Sequence, residues 1–217
     1  MEPFIKKHEY NTIKKYLYDL NNTLRNCTDQ KIVETHRAYL QENIFNLFSN
    51  LSDEQKALLN INVLNDPLYI DNYTTDLDQY VYGMPDITTS VIRKVFKKEK
   101  KFKLPPEGLQ ASKKVYLGWI DESIRKLFLI YNLDNKWIGM ACRIPNTNST
   151  NTHMCTLCNH VGKDDEIAFV SPICKMSDAD AYKSIGFHIC LDSEKCNERI
   201  TSTEKLEKLL KTVNNIH

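Results

Sequence analysis

Glycine is scarce in this chain of 217 residues, which contains only six. Neither glycine-rich loop that cradles phosphate, G-x-x-x-x-G-K-[ST] or G-x-G-x-x-G, occurs in the sequence. The His-Glu-x-x-His motif of zinc peptidases, the His-x-Glu signature of zinc deaminases and a serine in an elbow motif are also missing. Since no catalytic constellation is visible, we predict that the protein is not an enzyme.

Charge bias and long apolar runs are missing as well. The formal net charge is +1, so no global field selects a nucleic acid or a membrane as partner. No apolar run approaches the roughly 18 residues that a membrane-spanning helix needs. The first seven residues, Met-Glu-Pro-Phe-Ile-Lys-Lys, have no apolar stretch of the kind found in secretory leaders. We therefore expect a cytoplasmic protein.

The most informative residues that are present are four of the seven cysteines, which form two pairs. The pairs are Cys155 with Cys158, in a Cys-x-x-Cys knuckle, and Cys190 with Cys196. Paired thiols in a chain without a leader favour a metal over disulfides, and four thiolates suit one tetrahedral Zn²⁺. A site with all four positions filled is structural, because no position is left for water or substrate.

The ligand set has alternatives, because three histidines lie near the cysteines in sequence. His153, His160 or His188 could replace one of the four cysteines as a ligand. The other three cysteines, Cys27, Cys142 and Cys174, have no partner at ligand spacing and are predicted to be small core residues.

The spacing of the second pair predicts how the metal would be held. Asp192 or Ser193 can cap a helix, so Cys190 would end a strand and Cys196 would lie in the first helical turn. A knuckle, a hairpin and a helix start that share one metal form a treble-clef zinc finger.

The first part of the chain, residues 1–84, predicts a helical bundle. Apolar residues recur at helical spacing in two segments. The second can be capped by Thr28 or Asp29, and its apolar stripe is formed by Ile32, Val33, His36, Tyr39, Leu40, Ile44, Leu47 and Phe48. Ser52 with Gln55 resembles a capping box, and a fourth helix is predicted from residue 74 or 75 to residue 82. His36 is predicted to be a core histidine with a satisfied hydrogen bond rather than a ligand.

Residues 85–217 predict an α/β domain that ends in the zinc finger, with a boundary at Gly83-Met84-Pro85. A helix through Val91 and Phe96 leads into residues 93–103, which hold seven lysines and arginines against the single acid Glu99. This segment is either a solvated helix face or a contact surface for phosphates or an acidic partner. Three strands, residues 113–119, 126–131 and 137–143, follow with a period of two, and the last two are joined through Leu133-Asp134-Asn135-Lys136. A strand at 166–170 and a terminal helix from Thr203 come after them.

Four stretches in this order resemble the elongation factor G-binding proteins of the FusB/FusC type. They are residues 94–105, Gly118-Trp119, Cys155-x-x-Cys158-Asn159, and residues 186–197 with the pattern Ile-Cys-x-Asp-Ser-x-x-Cys-Asn. The resemblance implies an α+β chain, a helical bundle followed by an α/β domain with a treble-clef finger, and one structural Zn²⁺ on Cys155, Cys158, Cys190 and Cys196.

The resemblance also implies a function. Members of the family bind elongation factor G and promote its release from ribosomes on which fusidic acid has trapped it, which gives drug tolerance without catalysis. The family tends to place an aromatic residue before the first cysteine and a tyrosine two residues before the third. This chain has Met154 and His188 at those positions, and we predict that both face the partner.

A second hypothesis is a zinc-finger protein that binds RNA or DNA through the basic residues 93–103. It predicts an affinity that falls steeply with salt. Few aromatic residues alternate with these lysines, which disfavours a mode in which single-stranded bases stack.

Overall fold

The computed structural model describes residues 1–106, 113–145, 151–174 and 185–216. The chain divides into two compact units, Met1–Val81 and Tyr82–His217, which we call the bundle and the finger domain. The first is helical and the second is built around a sheet, which confirms the predicted α+β class. Among the described helices, none combines the length and the apolar character that crossing a membrane requires.

The bundle is made of four α-helices that pack around one apolar core. Its elements are β1 (Ile5–Lys6), α1 (Lys7–Asn26), α2 (Gln30–Phe45), α3 (Asp53–Leu58), a 3₁₀ turn (Ile61–Val63), α4 (Leu68–Asp78) and β2 (Val81–Tyr82).

The starts of two helices in the bundle agree with the sequence analysis. The Asp29 side chain accepts hydrogen bonds from the amides of Lys31 and Ile32 and so caps α2. At α3, the Ser52 side chain accepts from the Gln55 amide while the Gln55 side chain accepts from the Ser52 amide, which is the predicted capping box.

Two predictions about the bundle are wrong. The fourth helix begins at Leu68 and ends at Asp78, because Pro67 fixes a helical start and the Asp66 side chain accepts from the Leu68 amide. In α2, Ile32 and Tyr39 are exposed rather than buried, with 56% and 60% of their surfaces accessible.

His36, in the same helix, is half-buried and stays satisfied as predicted. Its Nδ1 atom lies 2.8 Å from the Thr23 hydroxyl. The core stripe of α2 is formed by Val33, Leu40 and Ile44, as predicted.

The finger domain contains three helices and seven strands among its described residues. They are α5 (Thr89–Val95), β3 (Leu117–Asp121), β4 (Lys126–Leu133), β5 (Lys136–Arg143), β6 (Thr152–Met154), β7 (Val161–Lys163), β8 (Ile167–Pro172), β9 (Phe187–Cys190), α6 (Ser193–Arg199) and α7 (Glu204–Asn214).

Five of these strands form one antiparallel sheet in the order β3-β4-β5-β8-β9, and β6 pairs with β7 as a separate hairpin. The turn between β4 and β5 contains Asp134 and Asn135 at positive φ, which suits the tight hairpin that the sequence predicts there. Alternate residues of each strand point to opposite faces, so the sheet has a core on each side. Leu127 and Leu129 belong to one core, and Phe128 and Ile130 belong to the other.

Helix α5 is shorter than predicted and carries only the first two residues of the basic segment. It ends at Val95, and the Phe96 ring lies in the core, where it packs edge-on against Trp119 and Phe128. Phe102 packs against the same rings, and the Asp121 carboxylate accepts a hydrogen bond from the Lys103 amide. The interpretation of residues 93–103 as one helix face is therefore wrong, because most of the segment is an exposed loop tied to the sheet at both ends.

Candidate metal centre and docking face

The first two cysteines lie in a tight turn that follows β6. The amide of Asn159 donates to the Cys155 carbonyl at 2.9 Å, and the amide of Cys155 donates to the His160 carbonyl at 2.8 Å. Asn159 has φ 59°, a left-handed conformation that asparagine tolerates better than most residues. The turn places the Cys155 and Cys158 thiols on the same side.

The second pair is placed by a strand end and a capped helix. Cys190 is the last residue of β9, and Cys196 lies in α6. The Asp192 side chain accepts hydrogen bonds from the amides of Glu194 and Lys195, both at 3.0 Å, and so starts α6 at the position that aims Cys196 inward.

The four sulfur atoms come together as one cluster. All four Sγ atoms lie within 4.8 Å of one another, with Cys155 and Cys196 at 4.0 Å and Cys158 and Cys190 at 3.6 Å. Four sulfurs about 2.3 Å from a tetrahedral zinc ion would be about 3.8 Å apart. The measured separations lie on both sides of this value, and the donor set is soft, so the cluster fits one Zn²⁺ ion.

Burial and charge also suit a metal that has no open coordination position. Cys155, Cys190 and Cys196 are buried, and Cys158 is half-buried. A bound Zn²⁺ ion would favour the thiolate form of all four cysteines, because the metal binds deprotonated sulfur. Catalysis by a metal-bound water would need a free position, and four thiolates leave none.

The three neighbouring histidines have other contacts. His153 Nε2 lies 2.8 Å from an Asp164 carboxylate oxygen, and His160 Nε2 lies 3.5 Å from a Glu166 oxygen. The His188 ring stacks on the His153 ring with centroids 4.2 Å apart. Within the described parts of the chain, the group that could hold a metal consists of the four cysteines alone.

Asn197 supports the cluster, and the sequence analysis assigned it no role. Its side-chain oxygen accepts hydrogen bonds from the amides of Val115 and Tyr116, and its nitrogen donates to the carbonyls of Tyr116 and Ser193. The side chain is buried and ties α6 to the chain just before β3. The sequence feature that could have indicated this role is its position directly after Cys196 in the pattern Ile-Cys-x-Asp-Ser-x-x-Cys-Asn.

Tyr116 and Gly118 complete the packing around α6. The Tyr116 ring is fully buried, and burial, followed by the nearby Cys196 thiol, raises the pKa of its hydroxyl. Gly118 faces Ser193 so closely that a Cβ atom there would collide with the serine side chain. Packing against Ser193 therefore explains why glycine stands at position 118 in the Gly118-Trp119 pair of the sequence motif.

The finger carries two groups of surface side chains, which we call together the finger face: Met154 with Val161, and Phe169 with His153 and His188. Met154 is 55% exposed and lies opposite Val161, which is 57% exposed, in the β6-β7 hairpin. Phe169 is 39% exposed and lies opposite His188 in the β8-β9 pair, with ring centroids 5.4 Å apart. Burial lowers the pKa of His188.

The finger face thus contains both residues that the sequence analysis assigned to a partner. Val161 and Phe169 were missed, because nothing in the sequence distinguishes an exposed apolar strand residue from a buried one. These side chains are aromatic and aliphatic, which is the composition of a protein docking surface.

Comparison with known families covers both units. Residues 4–85 match the family model described as "Elongation factor G-binding protein, N-terminal", and residues 86–215 match "FBP C-terminal treble-clef zinc-finger". The chain belongs to the elongation factor G-binding protein family. A zinc-finger domain of this family with four clustered sulfurs holds one structural zinc ion.

A solved structure has the same fold over nearly the whole chain. The structure of the fusidic acid resistance protein FusC matches with a TM-score of 0.80 and 22% sequence identity, and the match covers 98% of each chain. A comparison with curated protein sequences finds no match. The predicted resemblance to the FusB/FusC type is therefore confirmed by two family models and by one structure.

Proposed function

We propose that this protein binds elongation factor G and promotes its release from ribosomes on which fusidic acid has trapped it. The observation that carries this proposal is the match of both halves of the chain to the two domains of a family named for binding this factor. The closed sulfur cluster supports a binding role, because a saturated metal site builds structure rather than activating a substrate.

In this proposal, Cys155, Cys158, Cys190 and Cys196 are the four zinc ligands. The ion links the knuckle after β6 to the end of β9 and the start of α6, so it holds the finger face in shape. Residues 1–84 and 85–217 act as two domains, of which the second carries the main contact.

Release follows from thermodynamic linkage rather than from force. A binding protein shifts a partner between two states only if it binds one of them more tightly. Equal affinity for the free factor and for the ribosome-held factor would shift nothing, however tight the binding. The protein must therefore prefer a conformation of elongation factor G that the stalled complex disfavours.

The finger face is the proposed contact. Met154 has an unbranched, adaptable side chain, and His188 presents a planar ring held by stacking on His153. A few aromatic and flexible residues in the middle of an interface usually carry most of its affinity. We expect Met154→Ala combined with His188→Ala to weaken binding about tenfold or more.

The test uses purified components. Ribosomes loaded with elongation factor G, GTP and fusidic acid are pelleted through sucrose, and the factor in the supernatant is measured with and without this protein. Wild-type protein should raise the released fraction, and the Met154→Ala/His188→Ala variant should not. Leu68→Ala, at a highly exposed apolar residue of the bundle, is the matched control and should act as wild type. No release and no binding by folded wild-type protein would overturn the proposal.

RNA or DNA binding through residues 93–103 is the second candidate function. The seven lysines and arginines of this segment are all exposed, which favours a contact with phosphates. A pull-down from lysate with and without nuclease separates the two functions. A complex with elongation factor G that survives nuclease treatment supports the first, and loss of every captured protein supports the second.

A further inference from the structure

A groove of about 500 Å³ lies in the finger domain between α5, β5 and the end of α7. None of the residues of the finger face lines it, so the groove and the finger face are separate surfaces. Its volume is within the range of about 300–1,000 Å³ that is usual for ligand sites.

The floor of the groove is largely apolar. Trp137, Ile138 and Met140 of β5 contribute to it, together with Val213 of α7 and Ile216, which is 41% exposed. The one amide side chain in the lining, Asn214, already donates to the carbonyls of Gly139 and Leu210. Such a floor suits aliphatic or aromatic side chains better than the hydrogen-bonding edges of a nucleobase.

One side of the groove is basic. Lys94, Lys97 and Lys98 line it and are exposed. The only acid of the segment, Glu99, also lines the groove, but its charge is offset by an ion pair with Lys126 at 2.6 Å. An acidic partner would gain from the lysine charges, whereas a neutral or basic one would not.

We propose that this groove is a second docking site for elongation factor G, and that it takes an acidic segment of the factor with apolar side chains. The inference rests on the proposed function. The lysines attract the carboxylates of the segment, and the floor between β5 and α7 buries its apolar side chains. Gly139 keeps α5 close to β5 here, since a Cβ atom at this position would collide with Val95 and Phe96.

The test is the dissociation constant of the complex with purified bacterial elongation factor G, measured by fluorescence anisotropy at low and at physiological salt. Lys94→Glu/Lys97→Glu/Lys98→Glu should weaken binding tenfold or more and reduce its salt dependence. The control variant Arg93→Glu/Lys100→Glu/Lys101→Glu makes the same change of charge in the same segment but outside the groove. It should weaken binding threefold or less.

A second variant tests the apolar floor without a change of charge. Ile216→Ser removes an exposed side chain near the end of the chain and should weaken binding about threefold. Circular dichroism and zinc content will show whether the triple lysine variant folds. If it does not fold, Ile216→Ser still tests the groove.

The outcomes separate the two proposals. If wild-type protein does not bind the factor, the proposed function fails and the groove proposal fails with it. If the Met154→Ala/His188→Ala variant loses affinity but the groove variants do not, the function stands and the groove proposal is overturned. Equal losses in both lysine variants also overturn it, because they indicate a general electrostatic effect.

A 20-nucleotide single-stranded RNA serves as the competing probe. If the RNA binds wild-type protein, loses affinity in the Lys94/Lys97/Lys98 variant, and the affinity for elongation factor G stays unchanged, the segment is a nucleic-acid contact and the proposal is wrong.

Discussion

The bundle and the finger domain each contain a buried amide side chain that bonds to the backbone of another segment, but the surroundings of the two side chains differ. In the bundle, Gln41 donates to the Leu59 carbonyl and accepts from the Ile61 amide, and its neighbours are apolar side chains. In the finger domain, Asn197 makes four such bonds, and its neighbour Cys196 belongs to the sulfur cluster. The bundle is thus stabilised by apolar packing and by hydrogen bonds, whereas the packing of the finger domain also depends on a metal.

The largest expected effect comes from removing the metal. Cys155→Ser or Cys190→Ser should unfold the finger domain, because structural zinc sites can contribute on the order of 10 kcal/mol to the folding of small metal domains. The bundle should stay helical. Circular dichroism and limited proteolysis measure how far the bundle and the finger domain remain folded, and elemental analysis measures the zinc content.

The matched control is Cys27→Ser, since Cys27 is a half-exposed cysteine of the bundle outside the cluster. It should leave both zinc content and helicity unchanged. A zinc-free variant that keeps the finger domain folded and binds elongation factor G at full strength would contradict the conclusion that the finger domain depends on a metal.

The next effect in size is expected at Asn197. Asn197→Ala removes four hydrogen bonds and leaves buried amide groups of Val115 and Tyr116 without a partner, at a cost of about 1–3 kcal/mol for each such group. We expect a loss of about 3 kcal/mol in the free energy of unfolding of the finger domain, measured by urea denaturation, and weaker zinc retention. Asn22→Ala, at an exposed residue of α1, is the control and should change neither quantity.

Gln41→Ala should have a smaller effect, confined to the bundle. It removes two hydrogen bonds between α2 and the segment around the 3₁₀ turn, so we expect a loss of about 2 kcal/mol in the free energy of unfolding. The zinc content should not change. A loss of zinc from this variant would show that the two units are not independent in stability.

The smallest effect concerns pH and Glu9 of α1. Burial raises the pKa of this carboxyl above its ordinary 4.5, so its ionised form costs stability at neutral pH, and the cost disappears as the pH falls below the raised pKa. Glu9→Gln should therefore raise the melting temperature of the bundle by a few degrees at pH 7, with little difference from wild type at pH 4. An increase in melting temperature by Glu9→Gln that is larger at pH 4 than at pH 7 would contradict this assignment.

The sequence was sufficient to predict the parts of the molecule that local chemistry determines. The thiol pairs, the capping box at Ser52 and the tight turn at Asp134-Asn135 each depend on residues close together in the chain. The α+β class, the treble-clef finger and the single zinc ion were predicted on this basis, and the family models and the sulfur cluster agree with them.

Most errors occurred where long-range contacts decide the outcome, whereas the start of α4 was mispredicted although its signals, Asp66 and Pro67, are local. The path of the chain after α5 follows the packing of Phe96 and Phe102 on the rings of Trp119 and Phe128, which are distant in sequence. The exposure of Ile32 and Tyr39 depends on which face of α2 meets the rest of the bundle. The role of Asn197 depends on Val115 and Tyr116, which no local pattern connects to it.

The close approach of Gly118 to Ser193 couples two positions that are far apart in the sequence. A Cβ atom at position 118 would push against the start of α6, and Cys196 lies about one helical turn further along that helix. The geometry of the sulfur cluster therefore also depends on a strand residue outside the cluster.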